Sequence, residues 1–185
     1  MSFKEKVIYQ IYPKSFLDTN QDGIGDLPGI KQKIPYLKRL GVDMIWLSPI
    51  YPSPQNDNGY DVANYTAINP MFGTMTDFEN LMATAKEHGI EIMLDMVFNH
   101  VSTDHEWFQK ALAGDKKYQD YFILRDEPTD WVSKFGGNAW APFGDTDKYY
   151  LHLFDKTQAD LNWRNPEVRE ELFEVLRFWM KKGVK

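Results

Sequence analysis

The chain has 185 residues, 43% hydrophobic and 26% charged, which is typical of one globular domain or one domain with an insertion. Its net charge of −6 argues against a nucleic-acid partner, and the absence of cysteine excludes disulfides and thiolate metal sites. The start, MSFKEKVIYQ, lacks a signal-peptide core and no apolar stretch approaches the roughly 20 residues of a membrane helix, so we expect a cytoplasmic protein with no membrane partner.

Strands and helices are predicted to alternate along the chain. Short apolar runs rich in β-branched and aromatic residues predict strands at Lys6–Tyr12, Asp43–Leu47, Glu91–Phe98 and Tyr149–Phe154. Apolar spacings of three and four predict helices at Ile30–Leu40, Thr74–His88 and Glu167–Lys182. Thr74 and Asn165 stand at capping positions, and Val184–Lys185 resemble the beginning of a further strand.

This alternation predicts a parallel sheet, and the long polar loops after the strands favour a (β/α)8 TIM barrel. The three strand–helix units would form the N-terminal part of such a barrel. Residues 1–100 would supply three strands and two helices, 101–163 an inserted domain after the third strand, and 164–185 the third helix, ending before strand four. An open flavodoxin-like sheet is the alternative.

A loop rich in glycine and aspartate follows the first strand. Oxygen donors alternate along it as in the first half of an EF-hand loop, at Asp18, Asn20, Asp22, the Ile24 carbonyl and Asp26. Gly23 would supply the sharp turn, but Gly29 stands where the bidentate glutamate belongs. We therefore expect one structural Ca²⁺. A solvated turn is the alternative, and a free-standing calcium-binding module is the least favoured interpretation.

Two further polar clusters follow the second and third strands. The first is DNGYD, from Asp57 to Asp61, and the second is DMVFNH, from Asp95 to His100. Strand alternation would direct Asp95 and Asn99 to one side and leave His100 just beyond the strand end. A lone histidine is more often structural than catalytic, and no HExxH zinc motif is present. The spacing does not show whether any two carboxylates face each other.

Four segments resemble the α-amylase superfamily, glycoside hydrolase family 13. They are VIYQIYPKSFLDTNQDGIGDLPGI, IWLSPIYPSPQNDNGYDVANYTAINPMFGT, DMVFNH and QADLNW (Gln158–Trp163). Within the α-glucosidase branch, WVSKFGGNAW and YYLHLFDKTQADLNW look most like members that hydrolyse trehalose 6-phosphate to glucose and glucose 6-phosphate. Oligo-1,6-glucosidases, which usually have proline where Ala159 stands, and other α-glucosidases are the alternative.

The resemblance implies a role for each matching position. The residues that would bind the glucose are Asp57, Tyr60, His100 and Phe154. Those that would bind Ca²⁺ are Asp18, Asn20, Asp22, Ile24 and Asp26. The resemblance assigns support roles to Asp95, Asn99 and Asp160, and none to Asp61. The nucleophilic aspartate and the acid/base glutamate of this retaining family are expected after Lys185, so the 185-residue chain is expected to be inactive.

The expected partner is a small α-linked disaccharide or its phosphate. Lys134 and Lys148 are candidates for holding the phosphate, because an ammonium group binds phosphate oxygens. A non-catalytic binding module of the same family is the alternative from another functional class. Three barrel strands cannot close into a barrel, which leaves strand edges unpaired and apolar faces uncovered. We therefore expect residues 1–185 alone to be marginally stable, to self-associate, or to be seen only as part of a larger molecule.

Overall fold

A computed structural model describes residues 2–185. They form two compact units. The first contains the chain up to Pro52 together with Thr66–Met96 and Leu176–Lys185, and the second contains Ser53–Tyr65 and Val97–Val175. No helix within residues 2–185 combines the length and apolar character needed to cross a membrane.

The first unit is built on a parallel sheet of three strands. These are β1 (Ile8–Ile11), β2 (Met44–Leu47) and β3 (Glu91–Leu94), in the order β1-β2-β3. Met44 aligns with Ile8 on one side and with Glu91 on the other. The central strand is mostly buried, which explains its continuous apolar sequence. The predicted parallel sheet is confirmed, although each strand is shorter than predicted.

The third strand ends at Leu94, so the prediction of a strand through Phe98 was wrong. Beyond Leu94, backbone carbonyls accept bonds from side chains. The hydroxyl of Tyr51 donates to the Asp95 carbonyl (3.0 Å), and the hydroxyl of Tyr65 donates to the Val97 carbonyl (2.5 Å). His100 therefore does not lie just beyond the end of this strand, as was predicted. It opens a new one, β4 (His100–Ser102), in the second unit.

Two capped helices follow β1 and β2. Helix α1 (Leu27–Arg39) begins three residues before the prediction because the Asp26 carboxylate caps it, accepting a bond from the Gly29 amide at 2.8 Å. Helix α2 (Met75–Glu87) agrees with the prediction, and its first turn is closed by a capping box between Thr74 and Asp77.

The second unit contains two short helices and two small antiparallel sheets. Its helices are α3 (Glu106–Leu112) and α4 (Lys116–Gln119). Its other strands are β5 (Leu124–Arg125), β6 (Trp140–Pro142), β7 (Tyr149–Leu151) and β8 (Gln158–Asp160). β4 pairs with β8, and β7 lies between β5 and β6. The strand predicted over Tyr149–Phe154 ends at Leu151, because the Leu153 amide turns to the Asp160 carboxylate (2.9 Å).

The last helix, α5 (Pro166–Lys181), starts where the sequence predicts, with the Asn165 side chain accepting a bond from the Glu167 amide at 2.9 Å. Trp179 near its end belongs to the first unit and packs there against Phe78, with ring centroids 5.2 Å apart. The Lys185 amide then donates to the Ile92 carbonyl of β3 at 3.0 Å. The backbone therefore runs beside β3 at this point, as expected for the start of a further parallel strand.

Candidate functional site: a polar and aromatic cluster in the second unit

The loop that carries Asp57 wraps around the buried carboxylate of Asp61. This carboxylate accepts bonds from the Ser53 hydroxyl (2.9 Å), the Asn56 amide (2.9 Å) and the Asp57 amide (3.1 Å). Gly59 has a φ of 95°, in the left-handed region that favours glycine. Asp61, to which no role was assigned from the sequence, therefore fixes the backbone that positions Asp57.

His100 is buried at 4% exposure, and its two ring nitrogens have different partners. Nε2 lies 3.0 Å from the Tyr60 carbonyl, which can only accept, so Nε2 carries the hydrogen. Nδ1 then accepts from the Asn99 amide group at 3.1 Å. Burial lowers the pKa of His100, so the imidazole is neutral at pH 7. The Phe154 ring packs against it, with centroids 5.0 Å apart.

Gln158 lies between the two polar members of this cluster and bonds to one of them, Asp57. It is buried on β8, and its side-chain nitrogen donates to the Asp57 carboxylate at 2.8 Å. The same nitrogen lies 3.2 Å from Nε2 of His100, while the side-chain oxygen accepts from the Asp155 amide at 2.9 Å. The QADLNW segment was noted for its family resemblance, but no role was predicted for Gln158, because the pairing of β8 with β4 has no local sequence signature.

All four residues predicted to bind the sugar lie in the second unit, and the structure brings them together. Asp57 and Tyr60 share one turn, in which the Tyr60 amide donates to the Asp57 carbonyl at 3.0 Å. His100 contacts the Tyr60 carbonyl and the Phe154 ring. A carboxylate, a neutral imidazole and aromatic rings can together bind a hexose, whose hydroxyls need polar partners and whose C–H faces pack on rings.

The support residues fall into different units. Asp160, on β8, is buried and accepts from the Leu153 amide, so it holds the turn that leads to Phe154. Loss of solvation raises the pKa of Asp160 to about 6, although a bond from the Asn99 side chain opposes this shift. Asp95 lies in the first unit and was expected to share a strand with Asn99, which the early end of β3 excludes.

The loop at Asp18 lies in the first unit and is ordered by its own hydrogen bonds. The Asp18 carboxylate accepts from the amides of Asn20 (3.1 Å), Gln21 (2.8 Å) and Gly23 (2.8 Å). These bonds, above all that from Gly23, lower the pKa of Asp18. The Asn20 side chain donates to Asp22 at 3.0 Å, and Gly23 makes the expected turn with a φ of 87°.

The donor set of this loop fits a hard cation in part. Asp18, Asn20 and Asp22 place carboxylate and amide oxygens in one short turn, which is the chemistry Ca²⁺ prefers. Asp26 is used differently, because its buried carboxylate caps α1 and also accepts from the amide and hydroxyl of Thr19. Within residues 2–185 no group of three or more His, Cys, Asp or Glu side chains is arranged to hold a metal. The calcium site stays a prediction.

Comparison with known proteins decides the family. The sequence of residues 10–185 matches the family model described as the alpha amylase catalytic domain. The chain belongs to the α-amylase family. The trehalose-6-phosphate hydrolase of Escherichia coli K12 is 57% identical over 183 residues, covering 96% of this chain and 33% of that protein. The oligo-1,6-glucosidase of Bacillus cereus is 50% identical over 188 residues, covering 98% of this chain and 34% of that protein. The chain thus spans about a third of the length of these α-amylase relatives.

Solved structures of two enzymes share the fold. The trehalose-6-phosphate hydrolase of Bacillus licheniformis superposes with a TM-score of 0.96 at 50% identity, over 98% of this chain and 34% of that one. The isomaltulose synthase of Protaminobacter rubrum gives 0.96 at 48% identity, with the same coverage. The prediction of part of a TIM barrel is confirmed, and the flavodoxin-like alternative is excluded.

Proposed function

We propose that the whole protein is a retaining α-glucosidase that hydrolyses trehalose 6-phosphate to glucose and glucose 6-phosphate. The observation that carries the proposal is that Asp57, which accepts from Gln158, lies with His100 and the Phe154 ring in one cluster. The similarity to trehalose-6-phosphate hydrolases, at 57% and 50% identity, supports the substrate. An oligo-1,6-glucosidase is the second candidate, because relatives of that activity reach 50% identity.

The cluster would act by holding the glucose whose bond is cleaved. Hydroxyls of that sugar would bond to Asp57, and to His100 where the sugar displaces the Tyr60 carbonyl or the Asn99 side-chain amide from its ring. Such bonds accelerate the reaction when they tighten in the oxocarbenium-like transition state. Retention requires two carboxyl groups about 5–5.5 Å apart, one a nucleophile and one an acid/base. We place both outside residues 1–185 and expect these residues alone to show no turnover.

The loop at Asp18 would hold a structural Ca²⁺. Asp18, Asn20 and Asp22 with the Ile24 carbonyl would supply its oxygens, and Asp26 would act from the adjoining helix cap. The ion would stabilise the loop that joins β1 to α1 and would take no part in the chemistry.

The substrate is tested with the complete protein by comparing kcat/KM for trehalose 6-phosphate and isomaltose. Preference for the phosphorylated sugar supports the proposal, and preference for isomaltose favours the second candidate. Asp57→Asn should lower kcat/KM for either sugar by about 100-fold, since a charge-assisted bond contributes roughly 1.5–3 kcal/mol. Asp130→Asn is the matched control, because Asp130 is exposed. Absence of hydrolysis of both sugars by the complete protein would favour a non-catalytic binding module.

Residues 1–185 produced alone would self-associate. Within the described residues β1 pairs only with β2, so its other edge is open, and Val7 and Ile8 are exposed there. Unpaired strand edges favour pairing with another copy. Sedimentation velocity should show concentration-dependent oligomers, and a single monomer peak over a hundredfold range of concentration would contradict this.

A further inference from the structure

The second unit contains a cavity of about 830 Å³ that the proposed function does not use. Three tryptophans line it: Trp131, Trp140 and Trp163. None of Asp57, Tyr60, His100 and Phe154 is among its lining residues. A cavity of several hundred Å³ is large enough for a small-molecule ligand.

Two of the three tryptophans have their polar N–H groups already bonded within the second unit. The indole nitrogen of Trp140 donates to the Thr129 hydroxyl (2.8 Å) and that of Trp163 to the Phe98 carbonyl (2.8 Å). Trp131 is nevertheless 55% exposed and Trp163 41% exposed. With the N–H groups of Trp140 and Trp163 already bonded, what the cavity offers is flat apolar surface. Such surface suits the C–H face of a sugar ring.

The cavity is also lined by more positive than negative groups. Its cations are Lys116, Arg125, Lys148 and Arg164, and its one acidic lining residue is Asp120. Lys148 pairs with Asp126 at 3.2 Å. In the described part of the chain the other three cations form no ion pair with a carboxylate. Of these three, Lys116 bonds to the Gln119 side chain and Arg125 to the Leu124 carbonyl, so their charges are not neutralised by a carboxylate. Three such cations in a protein of net charge −6 favour a local site for an anion, and a guanidinium can bind a phosphate through two parallel bonds.

We propose that this tryptophan-lined cavity binds a phosphorylated monosaccharide. The sugar ring packs on the indole faces, and the phosphate is held by Arg164 with Lys116 or Arg125. The inference concerns binding alone. It therefore stands or falls independently of whether the protein hydrolyses trehalose 6-phosphate.

The test is isothermal titration of the complete protein with glucose 6-phosphate. All proteins carry Asp57→Ala, which weakens binding at the Asp57 cluster. Arg164→Gln and Trp131→Ala should each weaken binding at least about tenfold, because a charge-assisted bond or an aromatic contact contributes on the order of 1.4 kcal/mol or more. Arg39→Gln is the matched control, since Arg39 is exposed in the first unit and should leave binding unchanged.

Two further ligands test the chemistry. Glucose and inorganic phosphate should each bind at least about tenfold more weakly than glucose 6-phosphate, because each offers half of the contacts. Equal affinity for inorganic phosphate would overturn the sugar contact, and equal affinity for glucose would overturn the phosphate contact. An affinity in both cavity variants equal to that of the Asp57→Ala parent protein would overturn the proposal. If Arg164→Gln does not fold, as judged by near-ultraviolet circular dichroism, Arg125→Gln replaces it with the same expected result.

Discussion

The side-chain nitrogen of Gln158 donates a hydrogen bond to the Asp57 carboxylate at 2.8 Å, although 101 positions separate the two residues. Gln158 lies on β8, which pairs antiparallel with β4, and His100 opens that partner strand. The pairing of two short strands therefore decides how a carboxylate and an imidazole from different parts of the chain meet. The buried Asp61 fixes the Asp57 backbone by accepting a bond from the Asp57 amide.

Replacing the Gln158 side chain, which donates to Asp57, by a carboxylic acid should test whether Gln158 positions Asp57. Gln158→Glu places two carboxylates in contact, and like charges at this distance raise the pKa of one of them. We expect kcat/KM of the complete protein at pH 7.5 to fall by about tenfold or more, with partial recovery toward pH 5 as the shared proton is taken up. The pH profile of kcat/KM measures this. Gln32→Glu, on the exposed face of α1, is the matched control. Unchanged kcat/KM at pH 7.5 would show that Gln158 has no positioning role.

Removal of calcium should destabilise the protein. A ligand at 100 times its Kd stabilises the folded state by about 2.7 kcal/mol, so adding EGTA should lower Tm by several degrees if the Asp18 loop is loaded. Asp18→Asn should reduce the response, because it removes a charge and an oxygen ligand. Asp104→Asn, an exposed aspartate in the second unit, should respond like the wild type. If neither Ca²⁺ nor Mg²⁺ raises Tm, the loop is a hydrogen-bonded turn.

Local patterns predicted the barrel elements well. The capping box of α2 is visible as Thr74 followed three residues later by Asp77, and the apolar run at Met44–Leu47 marks a buried strand. Both signals depend on near neighbours in the chain, so tertiary structure did not override them. The early start of α1 was readable from Asp26 as an N-cap, but the aspartate had been assigned to the cation.

Contacts between distant positions were not predictable. Just after the end of β3, tyrosine hydroxyls donate to the carbonyls of Asp95 and Val97, and no local sequence pattern predicts these bonds. The role of Gln158 depends on the register of β8 with β4, for which three-residue strands give too little periodicity. The four residues predicted to bind the sugar came from family resemblance, and the structure adds the contacts that bring them together.

Asp160 should make the protein less stable as pH rises from about 4 to about 6. Its folded pKa of about 6 exceeds its unfolded value of about 3.9, so the folded state holds a proton that the unfolded state releases. The loss across this window is on the order of 2–3 kcal/mol. Asp160→Asn should remove it, because the amide oxygen can still accept from the Leu153 amide. Unfolding free energies from urea titrations at pH 4 to 7 measure the difference, with Asp145→Asn, an exposed aspartate, as control.

His105 should act in the opposite direction. It is buried, and Nδ1 accepts from the Trp107 amide at 3.1 Å to cap α3, while burial lowers its pKa to about 4. The folding stability that depends on neutral His105 is fully present above the unfolded pKa of about 6.5. It falls by roughly 3 kcal/mol as pH drops toward 4. His105→Asn keeps an acceptor for the Trp107 amide but cannot titrate, so it should lose less stability on acidification than the wild type. His88→Asn, in the first unit, is the control.

The two residues give a combined test in the second unit. Since stability from His105 rises with pH where that from Asp160 falls, the wild-type profile between pH 4 and 6 should be flatter than that of either single variant. His105→Asn alone should slope downward with rising pH and Asp160→Asn alone upward. The double variant should return toward the wild-type slope. Equal slopes in all four proteins would show that neither group has a shifted pKa in the folded state.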